Sequence, residues 1–232
     1  MPLRRWINSA NNAIEGILHA VRTQPHLRYH FYAAALVLIL SYALGVTKYE
    51  FLVIALAVII VLSAELLNSA VENVVDMVSP EPSEKARTAK DMAAGAVLTV
   101  AFGAALVGYI VLFPYLRRIF EIGFVMPKHS PEEVSIIAFI LVLIVVILLK
   151  AYFGSGVPLR GGMPSGHTAL AFSAWTAATM ITRSAFVSVV CFALAVVIGQ
   201  SRVAAGAHKI REVVAGGVVG AGLTYLLFLV FL

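Results

Sequence analysis

Polar and apolar positions along this chain fall into long blocks with a helical period. From Leu3 to Val21 the apolar residues Leu3, Trp6, Ile7, Ala10, Ile14, Ile17, Leu18 and Val21 recur at steps of three and four, with Arg4, Arg5, Asn8, Asn11, Asn12 and Glu15 between them. That pattern predicts an amphipathic helix lying on a membrane surface. Pro25 ends it, and the apolar runs then lengthen enough to cross a bilayer. They predict seven spans: 30–45, closed by Gly45; 50–77; a helix that opens after Ser83 and stays apolar through Phe113; then 134–150, 167–182, 184–200 and 212–231. Residues 114–133, with Pro114, Pro127, Pro131 and mixed charges, read as an interfacial linker. The boundary between two domains is placed near residue 125.

Composition agrees with this layout. Of 232 residues 61% are hydrophobic and 12% charged, and the mean hydropathy is +0.95, which excludes a soluble globular domain. The fold class expected is an all-α polytopic membrane protein: a surface helix and a three-span bundle, followed by a four-span bundle. The single cysteine, Cys191, lies in an apolar run; it permits no internal disulfide and reads as a packing residue. The start does not read as a signal peptide, because the first long apolar run begins only near Phe31. The net charge of +5 is better explained by topology and anionic lipid than by a nucleic-acid partner. With the N-terminus in the cytoplasm, only Lys48, Arg117, Arg118, Lys128 and Arg183 of the 17 Lys and Arg fall outside, so the charge bias favours that orientation.

One polar stripe stands out. Glu65, Asn68, Glu72 and Asp76 sit at the end of the 50–77 span, within about 80° of one another and over about 16 Å of helix. Carboxylates at membrane depth are costly and mark a site. With Lys90 and Asp91 in the next segment and Arg5 on the surface helix, the stripe suits phosphoryl transfer from a nucleotide to an acceptor in the bilayer, offering a metal ligand and a base. An ion or proton pathway is the alternative reading of the same acids.

The run Glu65-x-x-Asn68-Ser-Ala-Val-Glu72-x-x-Val-Asp76, followed by Ala89-Lys90-Asp91-Met-Ala-Ala-Gly-Ala-Val-Leu98, resembles the bacterial diacylglycerol kinase and undecaprenol kinase family over about residues 3–115. The resemblance implies a domain at 1–120, with Glu65 as the base for the lipid hydroxyl and Asn68 as its polar neighbour. It also implies Glu72 as a magnesium ligand, and Arg5, Asp76, Lys90 and Asp91 near ATP. The family's second metal-binding glutamate is replaced here by Gln24, whose amide oxygen can ligate Mg²⁺ but carries no charge. Trimers with sites shared between subunits are implied as well.

Three polar segments interrupt the C-terminal apolar sequence: Lys150 with Arg160, Pro164-Ser-Gly-His167, and Ser201-Arg202-x5-His208-x3-Glu212. A histidine that attacks phosphorus needs a carboxylate to fix its tautomer and cations on the phosphate oxygens. A second histidine must protonate the departing oxygen. His208 and Glu212 are i, i+4, adjacent on one helix face. Singly, each element has a bland reading, a structural interface histidine or a flexible turn at Gly161-Gly162. Together they resemble the type 2 phosphatidic acid phosphatase family over about residues 134–231, after a linker at 121–133. That resemblance implies His208 as nucleophile, His167 as general acid and Glu212 as the orienting carboxylate. Lys150, Arg160, Ser165, Gly166 and Arg202 would bind phosphate, and no metal is implied. Two positions depart from the family pattern: Val157-Pro158 replaces the expected Arg-Pro, leaving Arg160 as a candidate substitute, and Glu212 stands where Asp is general.

The expected function is a bifunctional enzyme of a bacterial inner membrane, acting on membrane lipids. One half would phosphorylate undecaprenol or diacylglycerol with ATP and Mg²⁺, and the other would dephosphorylate a lipid phosphate or diphosphate through a phosphohistidine, with both sites cytoplasmic. A protein with only one active half, and a transporter or channel lined by buried acids, are the alternatives. The second of these gives no reason for Pro164-Ser-Gly-His167 or for Lys90-Asp91.

Overall fold

The computed structural model describes residues 2–123, 127–153 and 162–232, with backbone only for 2–8 and 10. Among them are eight helices: α1 (Pro2–Thr23), α2 (Pro25–Leu44), α3 (Lys48–Val78), α4 (Glu84–Ile122), α5 (Pro131–Phe153), α6 (Gly166–Thr182), α7 (Ala185–Ala204) and α8 (Ile210–Phe231). The predicted domain boundary near residue 125 lies outside the described residues. All of α2, α3, α4, α5, α7 and α8 are long and apolar enough to cross a membrane. The remaining expected span, 167–182, corresponds to α6, whose 17 residues give about 26 Å of helix, short of a hydrocarbon core of about 30 Å.

Local chemistry accounts for the helix ends. Gln24 is the N-cap of α2 with Pro25 at its first position, and Gly45 closes that helix at φ 68°, a left-handed conformation that glycine adopts without penalty. Thr47 and Glu50 form a capping box at the start of α3. Ser83 caps α4 as its sequence predicts, its hydroxyl accepting from Ala86 N at 3.2 Å.

The expected linker over 114–133 is shorter than predicted. Helix α4 runs through Pro114 to Ile122, and α5 already begins at Pro131. A proline removes one backbone donor from a helix. Here the following residue is tied across the bundle, the Tyr115 hydroxyl donating to Glu50 Oε2 at 2.6 Å.

Contacts divide the chain into two compact units, one of residues 24–127 and one combining 1–23 with 128–232. In the first, α3 packs along α4 and α2 packs on α3, with a lesser contact to α4. Much of α4 faces outward: in its most apolar window only 6% of residues are buried, and Leu98, Phe102, Tyr109 and Phe120 are exposed. In a bilayer such a surface meets lipid tails rather than water, so its exposure costs nothing.

In the other unit α6 is the hub, packed on α8, α7 and α5, and α1 lies against α5. Val142, Val146 and Ala169 form a buried core with Leu170, Val219 and Leu223 around it. The α6–α8 approach depends on glycine. A Cβ at Gly216 would run into the carbonyl of Ser165, and one at Gly220 into the carbonyl of Ala169. Ser173 and Thr224 hydrogen-bond across the same seam at 2.7 Å, which satisfies two buried hydroxyls.

Candidate active sites

In unit 24–127 the stripe on α3 runs from a buried to an exposed end: Glu65 is 6% exposed, Asn68 and Glu72 are half-buried, and Asp76 is the most open of the four at its side chain. Helical spacing alone sets this gradient, because each further turn carries the stripe out of the bundle. Glu65 Oε1 lies 2.8 Å from His30 Nε2 of α2. A buried carboxylate requires such a partner. Beside His30 is a cleft of about 340 Å³ between α2, α3 and α4, otherwise apolar and lined by Ala33, Val37, Ala57, Val61, Ala104 and Gly108 among others. Small side chains leave this space open.

One turn further along, two amides converge on one carboxylate. Asn68 Nδ2 donates to Glu72 Oε1 at 2.9 Å, and Gln24 Nε2 donates to Glu72 Oε2 at 3.5 Å. Among the described residues the buried Oδ1 of Asn68 has no hydrogen-bond partner, an acceptor open to a ligand. The donor set is all oxygen with a single carboxylate. It fits a hard cation held jointly by protein and substrate phosphates, and it does not form a closed protein cage. No group of three or more His, Cys, Asp or Glu side chains suited to a metal occurs among the described residues.

Past the end of the stripe, Lys90 Nζ meets Asp76 Oδ1 at 2.5 Å, and Arg87 Nε lies 3.6 Å from Asp91 Oδ2. Asp76, Arg87, Lys90 and Asp91 border a groove of about 570 Å³ formed with the Ser79–Ser83 turn and the start of α4. The two motifs are thus brought together by the α3–α4 turn. Arg5 is on α1, within residues 2–8, for which the backbone alone is described.

The second constellation lies in unit 1–23 with 128–232. His208, in the turn after α7, and Glu212, in the first turn of α8, are both buried, and His208 Nδ1 is 2.9 Å from Glu212 Oε2. The same oxygen accepts from Lys209 N at 3.2 Å, so the carboxylate is fixed by backbone as well as imidazole. Arg202 is in the last turn of α7, and its main-chain carbonyl accepts from the N–H groups of Ala207 and His208, locking the turn that carries the histidine.

Ser165 N donates to the Glu212 carbonyl at 2.9 Å, and Thr168 Oγ1 donates to Ser165 Oγ at 3.0 Å. The Pro164–His167 segment and the His208–Glu212 segment are therefore joined main chain to main chain. His167 stands in the first turn of α6 and is exposed, and the charges that act on it are those of Arg202, His208 and Lys150. Gly166 opens α6, and a methyl group in place of its hydrogen would meet Val146 of α5 at van der Waals distance. Lys150 is buried in the last turn of α5. Burial pushes the His208 imidazole below its ordinary pKa. The Glu212 hydrogen bond opposes that shift, and the nearby charges of Lys150 and Arg202 reinforce it. Arg160 and Val157 lie outside the described residues.

Two residues enter these sites without having been singled out in the sequence. His30 is a lone histidine at the edge of an apolar run, and only the fold brings it to Glu65. Arg22, at the end of α1, donates from Nη2 to the Lys150 carbonyl at 3.3 Å, a contact across 128 positions with no local signature.

Comparison with known proteins finds two families along the chain. The family described as prokaryotic diacylglycerol kinase matches residues 11–112, and the PAP2 superfamily matches residues 149–232. The undecaprenol kinase of Bacillus subtilis is 34% identical over 114 residues, covering 49% of this chain and 93% of that protein. The diacylglycerol kinase of Haemophilus influenzae is 35% identical over 95 residues, covering 41% of this chain and 80% of that protein. No solved structure matches the chain significantly. The chain belongs to the prokaryotic diacylglycerol kinase family and carries a PAP2-superfamily domain behind it, a lipid kinase fused to a lipid phosphatase.

Proposed function

We propose that both halves are active, and that they act on different lipids to yield one kind of product. The first half phosphorylates a lipid alcohol, undecaprenol or diacylglycerol, with ATP. The lipid hydroxyl loses its proton to Glu65 as its oxygen bonds the γ-phosphorus, and the bond from that phosphorus to ADP breaks. Asn68 holds Glu72 in place. Glu72 and Gln24 are the residues that would hold Mg²⁺, which neutralises phosphate charge when bound. Asp76, Lys90, Asp91 and Arg5 serve the nucleotide. The trimeric assembly implied by the resemblance is part of this reading.

The second half removes phosphate from a lipid phosphate or diphosphate such as undecaprenyl diphosphate. With its Nδ1 proton held by Glu212, His208 keeps the Nε2 lone pair free to attack phosphorus. The bond to the leaving oxygen breaks, and His167 supplies its proton. Water then cleaves the phosphohistidine, returning a proton to His167 and releasing phosphate. Lys150, Arg202, Arg160, Ser165 and the Gly166 backbone receive the phosphate oxygens.

The observation that supports the reading most is the His208–Glu212 contact at 2.9 Å, tied by backbone to the Ser165 turn in a unit separate from the acidic stripe. Opposed reactions on a single lipid would only consume ATP, so one half making and the other trimming to a common monophosphate is the productive arrangement. The Lys and Arg bias supports a cytoplasmic position for both sites. The test is a lipid panel with γ-labelled ATP and with labelled lipid diphosphates. Glu65→Gln should stop gain of label and His208→Ala should stop loss of label, each leaving the other reaction intact. Gain of label by Glu65→Gln at the normal rate would reject the assignment of the base.

A further inference from the structure

No motif assigns His30 a role, yet it is the side chain that meets the most buried carboxylate of the stripe. His30 Nε2 lies 2.8 Å from Glu65 Oε1, with the Glu65 side chain 8% and the His30 side chain 31% exposed. His30 also contributes to the lining of the apolar cleft, where the remaining residues are Ala, Val, Ile, Leu and Gly. A lipid chain entering that cleft would bring its polar end to this pair.

We propose that His30 is a positioning residue for Glu65: its Nε2–H donates to Oε1 and holds the carboxylate oriented toward an acceptor hydroxyl at the polar end of the cleft. This rests on reading unit 24–127 as a kinase with Glu65 as base.

Four physical points carry the inference. A buried carboxylate among apolar side chains needs a hydrogen-bond donor, and His30 is the side chain that meets Glu65. The second oxygen of Glu65 stays available, because a single imidazole donor occupies only one of two carboxylate oxygens. Asn68, the nearest amide on the stripe, is engaged with Glu72, so it does not serve Glu65. Partial exposure of His30 also lets the imidazole follow Glu65 as the acceptor binds, which a fully packed side chain could not do.

The test compares His30→Ala, His30→Gln, Glu65→Gln and the double variant His30→Ala/Glu65→Gln in the full-length protein, each first checked for monodisperse elution and a cooperative thermal transition. His30→Ala should lower kcat for phosphate transfer by about 10- to 100-fold, with the KM for ATP changed by less than about twofold. His30→Gln keeps an N–H donor and should recover to within about threefold of the parent. In the Glu65→Gln background, His30→Ala should have no further effect. A second readout needs no turnover: a hydrophobic carbodiimide, which modifies carboxyls it can reach from the bilayer, should label Glu65 several-fold more in His30→Ala, where Oε1 has lost its partner, than in the parent. Unchanged kcat and labelling in His30→Ala, a His30→Gln variant as impaired as His30→Ala, or a further loss in the double variant would each overturn the proposal. Absence of phosphate transfer by the parent would reject the kinase reading itself, and the labelling would still decide whether His30 governs Glu65.

Discussion

The guanidinium of Arg22, in the last turn of α1, donates to the main-chain carbonyl of Lys150, in the last turn of α5, at 3.3 Å. A carbonyl in the last turn of a helix lacks an intrahelical partner, and a cation there is doubly favourable. The contact ties α1 to Lys150, the lysine proposed to receive phosphate oxygens. Arg22→Ala should therefore reduce phosphatase turnover by about tenfold, as expected for loss of a charged hydrogen bond of about 1.5 kcal/mol, and should leave phosphate transfer from ATP within about twofold. Rates of both reactions on one preparation provide the check.

Glu212 and His208 should behave as one unit. Glu212→Gln removes the charge that orients the ring and should lower the phosphatase rate by about 10²- to 10⁴-fold. Glu212→Asp shortens the reach by one methylene and should lose less. Acid-quenched capture of labelled phosphoprotein should find label in the parent and none in His208→Ala.

The pH dependence follows from the buried imidazole. In the proposed mechanism His208 attacks only when neutral, and burial holds its pKa below the ordinary value. The neutral form thus persists to lower pH, and the acid limb of kcat/KM for the phosphatase should lie below the usual histidine range. Glu212 pulls in the opposite direction by favouring the protonated ring. The residual activity of Glu212→Gln should accordingly show its acid limb displaced further toward low pH; displacement toward neutrality would contradict this placement of charge.

Gln24 offers a gain-of-function test. Its amide faces Glu72 where the family resemblance implies a second acidic metal ligand. Gln24→Glu adds a charged oxygen ligand for Mg²⁺ and should lower the Mg²⁺ concentration for half-maximal kinase rate by about tenfold. Glu72→Gln should raise that requirement or abolish the rate. Titration of Mg²⁺ at saturating ATP measures both.

Helix placement, the polar stripe and both motif sets were legible because they are local. Period, caps and i, i+4 spacing are written within a few residues, as at Ser83 and at His208 with Glu212. Three features were not legible, for physical reasons. The helix runs on through Pro114, and Tyr115 beyond it reaches Glu50, 65 positions away, a pairing that no local pattern encodes. The grouping of α1 with α5 gives no signal in a surface helix whose period fits a membrane equally well. His30 is chemically ordinary until folding brings Glu65 to it.

The seam between α6 and α8 brings Gly216 and Gly220 against the main chain at Ser165 and Ala169, and a larger residue there should be poorly tolerated. Gly220→Val should cost about 1–3 kcal/mol, seen as a lowered thermal transition in detergent, and should lower phosphatase activity more than kinase activity. In contrast, Val218, Leu226 and Leu229 on the same helix face outward. Replacing them with other apolar residues should leave both activities unchanged.

That seam also governs how the phosphatase site responds to its solvent. A frame set by backbone against backbone has no rotamers to redistribute when the surrounding acyl chains order, melt or change length. The spacing of Ser165 and Glu212 should therefore change little with the lipid phase, while the outward residues of α8 adapt to it. An enzyme whose substrates are themselves components of the bilayer can then keep one catalytic register as membrane composition drifts, including drift caused by its own turnover.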